Sequence, residues 1–244
     1  MKIHFPKTFD CLNCIIRWQA ICHGLSVNYN QLFHAYFTFL ISLLFLNPSR
    51  AQFPLPLKDI NTIADPTSLL ATATLGSDPR FLTNHTGTLF FTAKQNGTTT
   101  SLWKSNGKSG GTVKITDLGG TAYGLTSVGN LLYFVADQPH FGFELWKSDG
   151  TTAGTLRVKD IYTGSAGSMP SGLTNGNGTL YFVATDATRG SELWKSNGTD
   201  AGTVLVKDII TGTEGSNPQN LTNINGTLYF VANDGVNGYE LWKS

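Results

Sequence analysis

Cysteine is confined to the first 22 residues of this 244-residue chain, as Cys11, Cys14 and Cys22. The body from residue 52 onward therefore cannot depend on disulfides or thiolate metal sites. The Cys11-Leu-Asn-Cys14 spacing has no second pair and no downstream ligands, so it reads as leader sequence rather than a redox or zinc motif. Histidine is nearly as scarce beyond the leader. His85 and His140 fall at unrepeated positions, which makes a Ser/His/Asp triad or a histidine-rich metal site hard to assemble and leaves surface loops as the default for both. Only 14% of residues are charged, and residues 52–244 carry thirteen Lys/Arg against fifteen Asp/Glu without a basic cluster. Nucleic-acid binding needs a concentrated positive surface and is excluded on that ground. No stretch has helical periodicity, so no glycine-rich phosphate loop opens a helix.

Long hydrophobic runs are also missing, with one exception. Leu32 to Leu46 is apolar apart from His34, follows Lys2, Lys7 and Arg17, and precedes Asn-Pro-Ser-Arg-Ala-Gln. This is the layout of a secretory signal, with small residues Ser49 and Ala51 suited to a cleavage site. A helix of 15 residues rises about 22 Å, short of the roughly 30 Å hydrocarbon core, so no stable membrane span is expected after cleavage. The segment before Leu32 is longer than signals usually carry, which points to an extended signal or to a start upstream of the true one. Residues 1–51 are thus a leader, 52–77 a strand and a long joint, and 78–244 the remainder.

That remainder is abundant in one thing. Glu-Leu-Trp-Lys-Ser occurs at Glu144–Ser148, Glu192–Ser196 and Glu240–Ser244, with a weaker copy at Ser101–Ser105. From leucine to tryptophan the spacing is 21 in every unit: Leu82 to Trp103, Leu125 to Trp146, Leu173 to Trp194, Leu221 to Trp242. From tryptophan to aspartate it is 14: Trp103 to Asp117, Trp146 to Asp160, Trp194 to Asp208. Only the link from aspartate to the next leucine varies, being 23, 8, 13 and 13 residues from Asp59 onward. Fixed cores with variable joints mark folding units at 78–118, 122–161, 170–209 and 218–244.

Each unit reads as four short strands. A Leu-Thr strand is followed by a run such as Thr227–Ala232, apolar on both faces; the Glu-Leu-Trp strand comes third and a Lys-Asp-Ile type strand last. Asn-Gly and Asp-Gly dipeptides supply the positive φ of tight hairpins, so the strands meander antiparallel. An all-β fold of four-stranded blades, as in a β-propeller, is the expectation. Leu57-Lys58-Asp59-Ile60 looks like a last strand with no unit before it, and the fourth unit lacks a last strand. Either Leu57–Ile60 completes the blade that ends at Trp242 and closes a ring of four, or the chain is part of a larger propeller.

Glu144-Leu-Trp-Lys-Ser-Asp-Gly-Thr151 matches the signature of the bacterial ELWxxDGT-repeat proteins, and Glu192–Thr199 matches with Asn197 for Asp. Residues 57 to 244 resemble that family. The resemblance implies propeller-like architecture and a secreted or cell-surface location rather than a particular chemistry.

Among candidate sites, each motif Trp could be a sugar platform, but one Trp at a fixed place in every blade is what repeated core packing requires. Glu144, Glu192 and Glu240 should meet partners on adjacent strands. Asp117, Asp160 and Asp208 end the fourth strand, where a carboxylate commonly accepts turn amides. Asp186-Ala-Thr-Arg-Gly and Asp234-Gly-Val-Asn-Gly are oxygen-rich turns that could hold calcium, although neither has the spacing of an EF-hand loop. The Asn-Gly-Thr sequons at Asn96, Asn177, Asn197 and Asn225 are placed as turns before they are glycosylation acceptors. No catalytic, cofactor or metal set emerges. The favoured function is an extracellular binding or adhesion module for a glycan or protein, with the joint between Asp59 and Leu82 as the best contact region. The alternatives are an extracellular hydrolase or lyase acting on polysaccharide, and a partial chain of a larger repeat protein.

Overall fold

The computed structural model describes residues 56–62, 76–95 and 99–244. The signal-like segment, the three cysteines, Asn96 and most of the long joint lie outside the described residues. Pro56–Ser244 forms one unit by itself, apart from Met1–Leu55.

Among the described residues of that unit run fifteen strands: β1 (Arg80–His85), β2 (Thr88–Lys94), β3 (Thr100–Ser105), β4 (Val113–Asp117), β5 (Ala122–Val128), β6 (Leu131–Gln138), β7 (Gly142–Ser148), β8 (Leu156–Arg157), β9 (Ser171–Gly176), β10 (Thr179–Asp186), β11 (Gly190–Ser196), β12 (Val204–Lys207), β13 (Gln219–Ile224), β14 (Thr227–Asn233) and β15 (Tyr239–Lys243). Helix among the described residues amounts to one 3₁₀ turn, Ser109–Gly111. The strands form antiparallel meanders in chain order: three four-stranded sheets, β1–β4, β5–β8 and β9–β12, and a three-stranded sheet, β13–β15. Turn chemistry sets the hairpins. Asn177-Gly178 and Asn225-Gly226 have φ of +53°, +91°, +50° and +90°, the double left-handed conformation of a type I′ turn.

Alternation of side chains makes each sheet two-faced, and successive sheets stack face to face. Leu145 and Tyr133 of the second sheet join Leu180, Phe182 and Trp194 of the third in one cluster. Trp146 points the other way, into a cluster with Phe90, Leu102 and Ile115 of the first sheet. Leu193 in turn packs on Leu228 and Phe230 of the fourth. Within the motif, then, Leu faces the following sheet and Trp the preceding one. The first strands of consecutive sheets also lie side by side: Thr83 Oγ1 donates to Leu125 O (3.2 Å), His85 Nδ1 bonds Ser127 Oγ (2.8 Å), Asn175 Nδ2 donates to Ser127 O (3.1 Å) and Thr174 Oγ1 to Leu221 O (3.3 Å). His85 is consequently buried, edge-on to Phe90, rather than a surface loop residue. His140 does lie in an exposed turn.

The two ends of the stack differ from its middle. Leu145 and Leu193 are 0% and 1% exposed, but their counterpart Leu241 is 73% exposed. Leu82 on the first sheet is 63% exposed, whereas Leu125, Leu173 and Leu221 pack against the sheet before them. Leu57–Ile60 does not complete the fourth sheet. It belongs to no sheet, and Ile60 packs on Phe91, Ala93 and Trp103 of the first sheet, as Ile161 and Ile209 pack on the third and fourth. No apolar cluster of described residues joins the fourth sheet to the first.

Candidate functional site

The motif strand places one residue of each kind in a fixed role. Trp103, Trp146 and Trp194 are buried and Trp242 is half-buried. Trp103 stacks on Phe91 at 6.4 Å, Trp146 on Phe134 at 6.3 Å and Trp242 on Phe230 at 6.5 Å. The following lysine reaches forward: Lys104 Nζ donates to Gly150 O (2.9 Å) and Lys147 Nζ to Gly198 O (2.7 Å), clipping each sheet to the next sheet's turn.

The serine and the Asp-Gly-Thr segment fold into a self-contained turn. Ser148 Oγ accepts from Gly150 N–H and bonds Thr155 Oγ1; Asp149 Oδ1 accepts from Thr151 N–H and Oγ1; Thr151 Oγ1 accepts from Gly154 N–H. Asn197 takes the role of Asp149 in the third sheet without loss, because only the side-chain carbonyl is used. Asp149 has its carboxyl held below the usual range by the Thr151 hydroxyl and amide. The most distinctive part of the signature is thus a hairpin scaffold.

The glutamates do not meet partners on adjacent strands. Glu144, fully buried, accepts four hydrogen bonds from the joint that leads to the next sheet: Ile161 N–H (3.3 Å), Tyr162 N–H (3.3 Å), Ser168 N–H (2.9 Å) and Ser168 Oγ–H (2.6 Å). Glu192 accepts from Ile210 N–H, Ser216 N–H (2.8 Å) and Ser216 Oγ–H (2.5 Å). Burial pushes the Glu144 carboxyl up, while the Ser168 hydroxyl and the surrounding amides pull it back. A carboxylate serves here because its two oxygens accept several amides at once. The first sheet has Ser101 in this position, bonded to Asp117 Oδ1 at 2.6 Å, and its joint is the short one. The clasp and the joint change together.

The fourth-strand aspartates do not cap turns. Asp117 accepts from Ser101 and Lys114, which hold its carboxyl low. Asp160 pairs with Arg157 (3.3 Å), and Asp208 lies 3.9 Å from Arg189. The oxygen-rich turns are self-satisfied. Asp186 accepts from Thr188 N–H and Arg189 N–H, and Asp234 from Val236 N–H and Asn237 N–H. Among the described residues no group of three or more His, Cys, Asp and Glu is placed to hold a metal ion, and no helix is long and apolar enough to cross a membrane.

What the repeat does not consume is found beside the end of the long joint. A cavity of about 270 Å³ is lined by Asp78, Arg80, Phe81, Lys94, Thr100 and Thr121, among others. Asp78 and Arg80 form an exposed ion pair at 2.9 Å. Phe81 occupies the bulge that every first strand carries, with φ of +54°; the same place holds Gly124, Gly172 and Asn220, at +70°, +61° and +55°. Bulky L-residues avoid this conformation, so holding Phe81 there costs on the order of 1–3 kcal/mol. The residue is 42% exposed and recovers only part of that by burial.

No family model and no curated protein matches the chain. A solved structure described as a structural and mechanistic analysis of two prolyl endopeptidases is similar over 65% of this chain and 25% of its own, at 16% identity and a TM-score of 0.38. The chain therefore spans about a quarter of that protein's length.

The glutamate clasp was available to sequence reasoning through Gly-Ser-x-Pro, which precedes the first strand at Gly76–Pro79, Gly167–Pro170 and Gly215–Pro218 and places its serine 24 residues after Glu144 and Glu192. Phe81 was visible only as the residue standing where two other repeats have glycine.

Proposed function

We propose that residues 56–244 are consecutive blades of a β-propeller and that the protein is an extracellular binding module of the ELWxxDGT-repeat kind, which takes a saccharide in the cavity beside Phe81. Support for the propeller arrangement comes from the first strands, which neighbour one another from sheet to sheet. The same radial order puts innermost strands side by side around an axis. Support for binding is the departure from the repeat at Phe81: an aromatic held against backbone preference, half-open to solvent, beside the Asp78–Arg80 pair and Lys94. An apolar face ringed by a few polar groups suits a sugar ring. Glu144, Glu192 and Asp149 are already committed to the scaffold, which weighs against a hydrolytic carboxylate pair.

A glycan array probed with the wild-type chain and with Phe81→Gly tests this. Binding by the wild type that Phe81→Gly loses is expected. Equal binding by both would remove the cavity from the account, and turnover of a bound polysaccharide would replace the binding module with an enzyme.

A further inference from the structure

We propose that the saccharide is acidic: Lys94 and Arg80 hold an anionic group on its ring, a carboxylate or a sulfate ester, while Phe81 lies under the ring itself. This deepens the saccharide reading and rests on it. The cavity opens because the first junction is built differently from the next two. At those, the residue ahead of the proline seats the joint on the start of the third strand, Met169 N–H donating to Phe143 O and Asn217 N–H to Ser191 O, at 3.0 Å each. The approach is so close that a Cβ on Gly142 would meet Ser165 O at 2.7 Å and one on Gly190 would meet Thr213 O at 2.5 Å. At the first junction the corresponding carbonyl, Thr100 O, is taken by Leu118 N–H instead (2.9 Å). Thr121, the counterpart of Met169, stays off the strand, and it and Thr100 line the cavity. Space that the thirteen-residue joints fill is left open by the eight-residue link.

The side chains around the opening also depart from the repeat. Lys94 stands where the other units have Asp137, Thr185 and Asn233, and Arg80 where they have Tyr123, Ser171 and Gln219. Two cations are thus introduced at one place. Arg80 lies opposite Thr92 across β1 and β2, and Lys94 is two residues further along β2, so both side chains leave the same face. Asp78 is the acid among the lining residues, and it takes the Arg80 Nε alone (2.9 Å). The terminal guanidinium nitrogens of Arg80 and the Lys94 ammonium have no partner among the described residues. One net positive charge and its donors are left over. A neutral sugar would leave those donors to water, whereas a carboxylate or sulfate accepts from both, and two of its oxygens match the guanidinium fork. Thr100 and Thr121 add neutral groups for the ring hydroxyls. Lys94 is half-buried whereas the Arg80 side chain is 64% exposed, so Lys94 should contribute more of the discrimination.

The test is calorimetric titration of the full chain with two pairs of ligands: an oligogalacturonate and its methyl ester, and a sulfated galactan oligomer and its desulfated form. Each neutral member keeps the sugar ring and loses the charge. In one pair the charged member should bind about tenfold more tightly than the neutral one, and which pair shows the ratio tells carboxylate from sulfate. That ratio should shrink as salt is raised from about 50 to about 500 mM, because screening weakens a charge contact at the mouth of an open cavity. Lys94→Met should bring it down to about twofold, with the melting temperature of the variant as the check on folding; Lys94→Gln gives the same readout if the first variant does not fold. The inference falls if both neutral ligands bind as tightly as their charged partners, or if the folded Lys94 variant keeps the full ratio. Equal binding of charged and neutral forms that Phe81→Gly abolishes would overturn the acidic sugar and leave the saccharide reading standing. Binding of none of the four, or binding that Phe81→Gly leaves unchanged, would overturn the saccharide reading and this inference with it.

Discussion

Three glutamates of identical sequence context should differ widely in energetic weight. Glu144 receives two short and two longer hydrogen bonds inside a fully buried pocket. Bonds to a charged acceptor contribute roughly 1.5–3 kcal/mol each, and truncation strands buried donors. The two short bonds alone suggest about 3–6 kcal/mol; the desolvation that pushes the carboxyl up offsets part of this, leaving about 3 kcal/mol for Glu144→Ala. Glu192→Ala should fall in the same range, with its two short bonds to Ser216. Glu240 is exposed, and Glu240→Ala should stay within about 0.5 kcal/mol. Urea unfolding midpoints give the three values, and amide exchange at Ser168 and Tyr162 should accelerate in Glu144→Ala alone. A loss below about 1 kcal/mol at Glu144, or equal losses at all three, would refute the clasp. The carboxyl also predicts a pH slope. Its folded-state value lies above the ordinary 4.5, so the folded chain keeps the proton longer; the proton-linked part of its stabilisation is full below the unfolded value and is lost as pH rises through the folded one, while the hydrogen bonds of the clasp remain. Asp117 is held low and runs oppositely, losing its contribution as pH falls below the ordinary 3.8 through its folded value.

Trp194→Ala should cost about 3–5 kcal/mol by cavity formation; an unchanged melting temperature would contradict its packing role. Gly215→Ala should cost about 2 kcal/mol or more, because φ is +69° and a Cβ there would meet the Ser191 backbone, its O at 2.6 Å; near-wild-type melting would refute the tight approach of these two turns. Phe81→Gly should leave stability within about 1 kcal/mol of wild type or raise it, since relief of backbone strain offsets the lost ring burial, and calorimetry separates this from an ordinary core loss. Chelator and added calcium should both leave the melting temperature unchanged, because Asp186 and Asp234 already accept the amides of their own turns.

Much of the fold was legible because local chemistry and tertiary structure agree. Asn225-Gly226 and Asn177-Gly178 name their turns, and doubly apolar runs such as Leu180–Ala184 name strands covered on both faces. The role of Glu144 was not legible from alternation alone, since its partners are backbone amides brought close only by the joint's path. Spacing also made Leu82 look equivalent to Leu125, yet burial depends on the sheet next to it, which sequence position does not encode. Asp160 and Asp208 were misread because a strand-end carboxylate usually faces a turn, whereas these lie beside Arg157 and Arg189. Phe81 was hidden because its peculiarity is a backbone torsion.

The glutamate clasp also bears on how such a chain can be copied or cut. A fragment excised at sheet boundaries would carry Glu144 away from Ser168, or receive a joint whose serine has lost its acid. The unit that survives transplantation is offset from the sheet: it begins at one Glu-Leu-Trp strand and ends just past the next Gly-Ser-x-Pro. The first junction shows that the cassette can be exchanged whole, with Ser101 and Asp117 accompanying an eight-residue link where Glu144 and Ser168 accompany one of thirteen. Shuffling of blades in this architecture should therefore move clasp and link together, and chimeras that mix the two should express poorly even when every sheet is native.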